Sequence, residues 1–291
     1  MARNQKKIKH HLNAESVQTH FIKTGKINFA YRVIGEGSPL ILFHRFRATM
    51  DEWDPAFINQ LGRKNRVIVF DNVGIGLTEG NTPQTMSEIA ADALGFTQAL
   101  QLGSFSILGW SLGGLVAQVF AMNYKAHVLK LVLVATGPAA SAETVFPNEQ
   151  FLETSRHDEN PPKDHQVLFF TQDEKGYKET LKSLERMEGR MPPPVPATKK
   201  ENWVAQSVAA KDFFYNKEGY FNRLKEITQP VLIGGAKEDI AFPMIDSYLL
   251  AREIPNSQLI IYSKAGHGFQ HQYYSHFGNM INQFLSDETF F

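Results

Sequence analysis

Cysteine is absent from the 291 residues, which excludes disulfides, thiolate nucleophiles and cysteine-ligated metals while leaving the redox compartment open. Long apolar runs are also missing: nothing approaches the roughly 18–20 residues of a membrane span. The basic start MARNQKKIKHHLNAES is not followed by the apolar stretch of a secretion signal. The expectation is a cytoplasmic protein without a membrane partner. Neither sign of charge is in excess, with 30 Lys plus Arg against 30 Asp plus Glu, so no net field favours nucleic acid or anionic lipid. A small neutral or weakly charged molecule is the expected ligand, and the chain is expected to be a monomer or homodimer. Repeats and low-complexity tracts are lacking as well.

Hydrophobic residues at 43% and charged residues at 21% are a globular composition with material for a large core. One sheet with an insertion accounts for this length better than two independent domains. Residues 1–18, carrying Arg3, Lys6, Lys7, Lys9, His10 and His11, read as a basic mobile tail. Residues 20–24 and 27–34 read as two strands of a hairpin around Gly25, forming an antiparallel edge. The apolar runs at 40–43, 67–70, 105–108, 129–135, 230–235 and 259–262 read as further strands, most of them buried on both faces. Helical spacing covers 50–61, 87–102 (with Ser87 as cap and Gly103 as stop), 112–126, 243–254 and 274–285. Such alternation predicts an α/β fold with parallel strands, right-handed crossovers and helices on both faces.

The rhythm breaks at Thr136. Residues 137–222 contain charged helical patterns, many aromatics and the stiff stretch Met191-Pro192-Pro193-Pro194-Val195-Pro196. They read as an inserted helical lid on a core made of 19–136 and 223–291.

The stretch FSILGWSLGGLVA at 105–117 organises the rest: a buried strand, then Gly109-Trp110-Ser111-Leu112-Gly113-Gly114, then a helix. A turn this tight forces strained angles on its central residue, and side chains at 109, 113 and 114 would collide with strand and helix. Ser111 is thereby lifted from the sheet, and the Leu112 amide at the helix N-terminus points to the same space. A serine hydroxyl needs an imidazole to take its proton, and the imidazole needs a carboxylate to fix its tautomer. The loops after two later strands offer Glu238 or Asp239 as acid and His267, flanked by glycines, as base. Chemical groups in parallel α/β sheets gather at such carboxyl ends. Asp71, before the glycine-punctuated loop at 72–78, reads as a loop-fixing residue. His271 and His276 are expected on exposed helix positions.

The order Ser, acid, His behind that elbow resembles the α/β-hydrolase superfamily over roughly residues 20–287. The resemblance rests on G-x-S-x-G-G at 109–114, D-x-x-x-P at 239–243 and Gly-His-Gly at 266–268. It implies a mostly parallel eight-stranded sheet with a helical cap after strand six, a catalytic triad of Ser111, Asp239 and His267, and no metal or organic cofactor. It also implies an oxyanion hole made by the amides of Phe46 and Leu112. Relatives often carry His-Gly-x-Gly where this chain has His44-Arg45-Phe46-Arg47, and arginine where it has Val73. His44 is then expected to brace the loop. Arg45 and Arg47 would face solvent or, with Trp110, contact substrate, where the guanidinium groups could hold a carboxylate. Serine at 111 disfavours dehalogenase or epoxide hydrolase chemistry, which uses aspartate there. The implied activity is a serine hydrolase for a small, partly apolar ester or lactone. Carbon–carbon hydrolysis, perhydrolysis and a slow-turnover ligand receptor are the alternatives on this fold.

Overall fold

The computed structural model describes residues 13–25, 27–215 and 219–287. Eight strands form one sheet: β1 (His20–Thr24), β2 (Ile27–Ile34), β3 (Ser38–Phe43), β4 (Asn65–Phe70), β5 (Phe105–Trp110), β6 (Val128–Val134), β7 (Val231–Ala236) and β8 (Ser257–Tyr262). Their spatial order is β1-β2-β4-β3-β5-β6-β7-β8. The β1–β2 hairpin lies antiparallel at one edge and the remaining strands run parallel.

Period-two alternation assigns each strand residue to one of two cores. Ile41, Phe43, Ile107, Leu131 and Leu133 face one layer, and Leu40, Leu42, Leu108, Val132 and Val134 face the other. The first layer is closed by α2 (Met86–Ala99) and α3 (Leu112–Asn123), and the second by α1 (Pro55–Gly62) and α11 (Tyr274–Ser286). Between β6 and β7 come α4 (Glu149–Thr154), α5 (Pro162–Phe169), α6 (Glu174–Glu188), α7 (Lys200–Phe214) and the short α8 (Tyr220–Arg223). After β7 come α9 (Met244–Glu253) and, behind β8, the single turn α10 (Phe269–Gln272). No helix among the described residues is long and apolar enough to cross a membrane.

Three local readings change. The pattern at 50–61 is a 3-10 turn at Met50–Glu52 followed by α1, because Asp54 caps the Ala56 amide (3.0 Å) and Pro55 starts a new helix. The cap of α2 is Thr85, not Ser87: its hydroxyl accepts from Glu88 N and donates to the Glu88 carboxylate, and the helix stops at Ala99 with Gln101 at φ 55°. The tail reading fails for residues 13–18. Ala14 and Val17 are buried, and the Ala14 amide donates to Asn59 Oδ1 at 2.8 Å. The basic run Arg3 to His11 lies outside the described residues. The proline stretch has no helix or strand and is strapped to the core, with Met191 N donating to Glu15 O (2.8 Å) and Val195 N to Asp51 Oδ2 (2.7 Å).

Candidate active site

Ser111 sits between β5 and α3 at φ 55° and ψ −121°, a region that costs a residue with a side chain about 1–3 kcal/mol. The turn is clamped from both sides: Ser111 N donates to Val134 O (2.9 Å), and its carbonyl accepts from Thr136 Oγ1 (2.8 Å) and Gly114 N (2.8 Å). A Cβ at 109 would stand 2.4 Å from Gly113 O, one at 113 2.2 Å from Phe43 O, and one at 114 2.5 Å from the Thr136 side chain. Glycine is what lets strand and helix close on the serine.

The hydroxyl faces His267. Ser111 Oγ and His267 Nε2 are 2.9 Å apart, and His267 Nδ1 lies 2.9 Å from Asp239 Oδ2. The other oxygen of Asp239 accepts from Ala241 N (2.8 Å) and Phe242 N (2.9 Å), so both carboxylate oxygens are engaged. All three residues are buried, whereas Glu238 is exposed, which leaves Asp239 as the acid facing the imidazole. The ring of His267 is stacked between Phe242 (5.8 Å) and Phe169 (6.2 Å), with Phe151 edge-on at 5.7 Å. This line of hydrogen bonds has what proton removal from a hydroxyl requires: a base at contact distance and an acceptor fixing the base's far nitrogen.

The loop after β3 closes over the serine. His44 Nε2 meets Phe70 O at 2.6 Å, and burial lowers the pKa of this imidazole to about 3, so it stays neutral and braces the loop as expected. Asp71 fixes the neighbouring loop by accepting from Met50 N (2.8 Å) and Leu77 N (2.9 Å). Neither the Phe46 amide nor the Leu112 amide, at the first turn of α3, donates to another described residue.

The family model for the alpha/beta hydrolase fold matches residues 38–272. The chain belongs to this family. Along 92% of its length and 91% of the relative's, this alpha/beta hydrolase is 29% identical to a 2-hydroxy-6-oxononadienedioate/2-hydroxy-6-oxononatrienedioate hydrolase of Burkholderia vietnamiensis. It is 25% identical to a pimeloyl-[acyl-carrier protein] methyl ester esterase of Aliivibrio salmonicida, over 88% of this chain and 95% of the other. A solved alpha/beta hydrolase fold protein from Chitinophaga pinensis superposes with a TM-score of 0.86 at 27% identity, covering 94% of this chain and 99% of that one. The protein is an enzyme of the alpha/beta hydrolase type.

In this hydrolase, Ser111 and His267 open into a cavity of about 320 Å3, at the small end of the roughly 300–1,000 Å3 usual for ligand pockets. Phe151, Leu168, Phe169 and Val195 form its apolar wall; Arg45, Glu52, Arg47 and Asp158 form the polar one. The sequence reading missed Glu52, Asp158 and His165 as lining residues, and no local motif marks them. Neither arginine is free. Arg45 is ion-paired with Glu52, donates to Phe46 O (2.9 Å) and lies over the Phe169 ring at 4.6 Å. Arg47 donates to Ser155 O (2.8 Å) and His157 O (2.9 Å). Its own φ of 63° puts it in the left-handed region, at a cost of about 1–2 kcal/mol. Trp110 does not line this cavity. It is 1% exposed, donates Nε1–H to His267 O at 3.1 Å and packs on Trp53 and His271, because it shares strand parity with Leu108 and points into the second core.

His271 is buried rather than exposed, since α10 lies under α6, where Arg186 reaches the His271 carbonyl. Burial lowers its pKa to about 4. A base depressed from the roughly 6.5 of the unfolded chain contributes stability that is lost as pH falls from there towards 4. Asp71 and Asp246 act in the opposite sense, since burial raises both to about 7 and their share of stability is lost as pH rises from about 4 to 7. Replacing His271 by glutamine removes one of the acid-sensitive groups. Relative to wild type, His271→Gln should gain about 1 kcal/mol for each pH unit lowered between 6 and 5, read from urea unfolding at each pH. A constant difference across that window would show that His271 titrates as it does in the unfolded chain.

Proposed function

We propose that this enzyme hydrolyses a small, partly apolar carboxylic ester or lactone through an acyl-enzyme on Ser111. The observation that carries the reading is the buried line from Ser111 through His267 to Asp239, opening into a small cavity beside two undonated amides. Ser111 Oγ attacks the acyl carbon as His267 Nε2 takes its proton, and the amides of Phe46 and Leu112 hold the oxyanion. The imidazolium then protonates the leaving alkoxide, or the ring-opened oxygen of a lactone. Water next attacks the acyl-enzyme with His267 again as base, releasing the acid and restoring the serine. Helices α4 to α7 act as the cap that shapes the pocket, with Phe151, Leu168 and Phe169 against the acyl chain.

The engaged guanidinium groups favour an uncharged substrate, since a carboxylate at Arg45 would compete with Glu52. Hydrolysis of a carbon–carbon bond in a dienoic keto acid is the second reading, favoured by the 29% identity to the Burkholderia enzyme. A p-nitrophenyl ester series from acetate to octanoate, run beside a 2-hydroxy-6-oxo-dienoic acid, separates them. Ester turnover peaking at short or medium chains with the dienoate untouched is expected; efficient loss of the dienoate chromophore with negligible ester cleavage would move the assignment to the second reading.

A further inference from the structure

Arg47 follows the proposed oxyanion donor Phe46, and its four hydrogen-bond partners all come from the segment between β6 and β7. Its amide donates to Gln206 Oε1 (2.9 Å), its carbonyl accepts from Thr198 Oγ1 (2.6 Å), and its guanidinium donates to the carbonyls of Ser155 and His157. The same guanidinium lies 5.3 Å from the Trp203 ring, on which the Phe46 ring also packs edge-on at 6.2 Å. Gln206 and Trp203 belong to α7, Ser155 ends α4, and Thr198 precedes α7. A left-handed backbone at a residue with a long side chain persists only where its surroundings hold it. Here the surroundings are the inserted segment, which makes the four hydrogen bonds to Arg47, and the turn bond from Ala48 N to Arg45 O (3.3 Å) within the loop.

We infer that Arg47 is a positioning residue that couples docking of the inserted helices to assembly of the oxyanion hole. With the helices docked, the Arg47 amide and carbonyl are both hydrogen-bonded and the adjoining Phe46 is held on the cavity wall that it shares with Ser111. With them displaced, the four hydrogen bonds to Arg47 are lost together, its left-handed conformation relaxes, and the Phe46 donor leaves the site. The hole is therefore complete only when the pocket is closed, so the acyl-enzyme forms away from bulk water. This inference rests on the serine-hydrolase reading above.

The test uses the full-length protein and three substitutions. Gln206→Ala removes the partner of the Arg47 amide at a helical position where alanine is favourable. Thr198→Val removes the hydroxyl donor, and Arg47→Met removes the guanidinium nitrogen that donates to both carbonyls. Each is expected to lower kcat by about 10- to 100-fold with KM within threefold, a fraction of what losing an oxyanion donor outright costs. Affinity for a trifluoromethyl ketone, which forms an oxyanion adduct with the serine, should fall by the same factor as kcat/KM across the series. A rise in KM with kcat intact would mean that Arg47 merely closes the pocket, and unchanged kinetics with unchanged ketone affinity would overturn the coupling. Failure of the hydrolase reading is distinguishable, because wild-type protein would then take no fluorophosphonate label and cleave no ester.

Discussion

Replacing Ser111 by alanine is expected to abolish fluorophosphonate labelling and to lower ester kcat/KM by about 10^4- to 10^6-fold. The removed atom is the one that His267 Nε2 faces at 2.9 Å, and no other hydroxyl in the cavity wall has that partner. Thr49, Ser155 and Thr198 also line the pocket, but the hydroxyls of Ser155 and Thr198 donate to the carbonyls of Leu152 and Arg47. Thr49 Oγ1 accepts from Asp51 N. Retention of more than about 1% of wild-type turnover with p-nitrophenyl acetate would remove Ser111 from the mechanism. The backbone gives a second readout. Alanine keeps the strain at φ 55° and ψ −121°, whereas glycine adopts that region freely. Ser111→Gly should therefore be more stable than Ser111→Ala by about 1–3 kcal/mol while equally inactive. On the proposed mechanism, a serine held in this way is a case of stability given up for function.

The parts of the site that were legible are those whose reasons are local. The elbow could be read because its glycines sit between a strand and a helix adjacent in sequence: Gly109 meets that helix at Gly113 and Ala117, while Gly113 and Gly114 meet the distant Phe43 and Thr136. Asp54-Pro55 was a legible helix start that the apolar spacing of 50–61 masked, and the Thr85 cap on Glu88 N was legible in the same way. Trp110 could have been placed by parity alone, since Leu108 two residues earlier belongs to the same buried face. The glycines flanking His267 correctly marked a special position, but their reason was hidden. A Cβ at Gly268 would meet Phe169 Cβ at 2.9 Å, and the Gly268 amide donates to Phe169 O at 2.7 Å.

The roles of Arg45 and Arg47 were illegible for a different reason. Arg45 finds Glu52 nearby, but Arg47 is held by Ser155, His157, Thr198 and Gln206, all more than a hundred positions away. Periodicity gives the helices of residues 137–222 without their docking, and docking decides which guanidinium protons are left for a ligand. The same gap hid the burial of His271, which depends on α6 lying over α10.

Changing Asp239 to asparagine should cost about 10^4-fold in kcat at neutral pH with little change in KM, the loss expected when a base is held in the wrong tautomer. Geometry dictates which way the new amide points. Asp239 Oδ1 accepts from the amides of Ala241 and Phe242 at 2.8 and 2.9 Å, and only the oxygen of asparagine can accept there. Its NH2 group is then left at the former Oδ2, 2.9 Å from His267 Nδ1, where it donates. The imidazole must accept at Nδ1 and carry its proton on Nε2, the nitrogen 2.9 Å from Ser111 Oγ. A base already protonated at the reacting nitrogen cannot take the serine proton. The substitution is nearly isosteric, so folding and fluorophosphonate-site geometry should survive, and nitrogen-15 NMR of the His267 ring should report the proton on Nε2 rather than Nδ1. Near-wild-type kcat in Asp239→Asn, with Glu238→Gln inactive instead, would transfer the role to the exposed neighbour and contradict the burial and hydrogen bonding of Asp239.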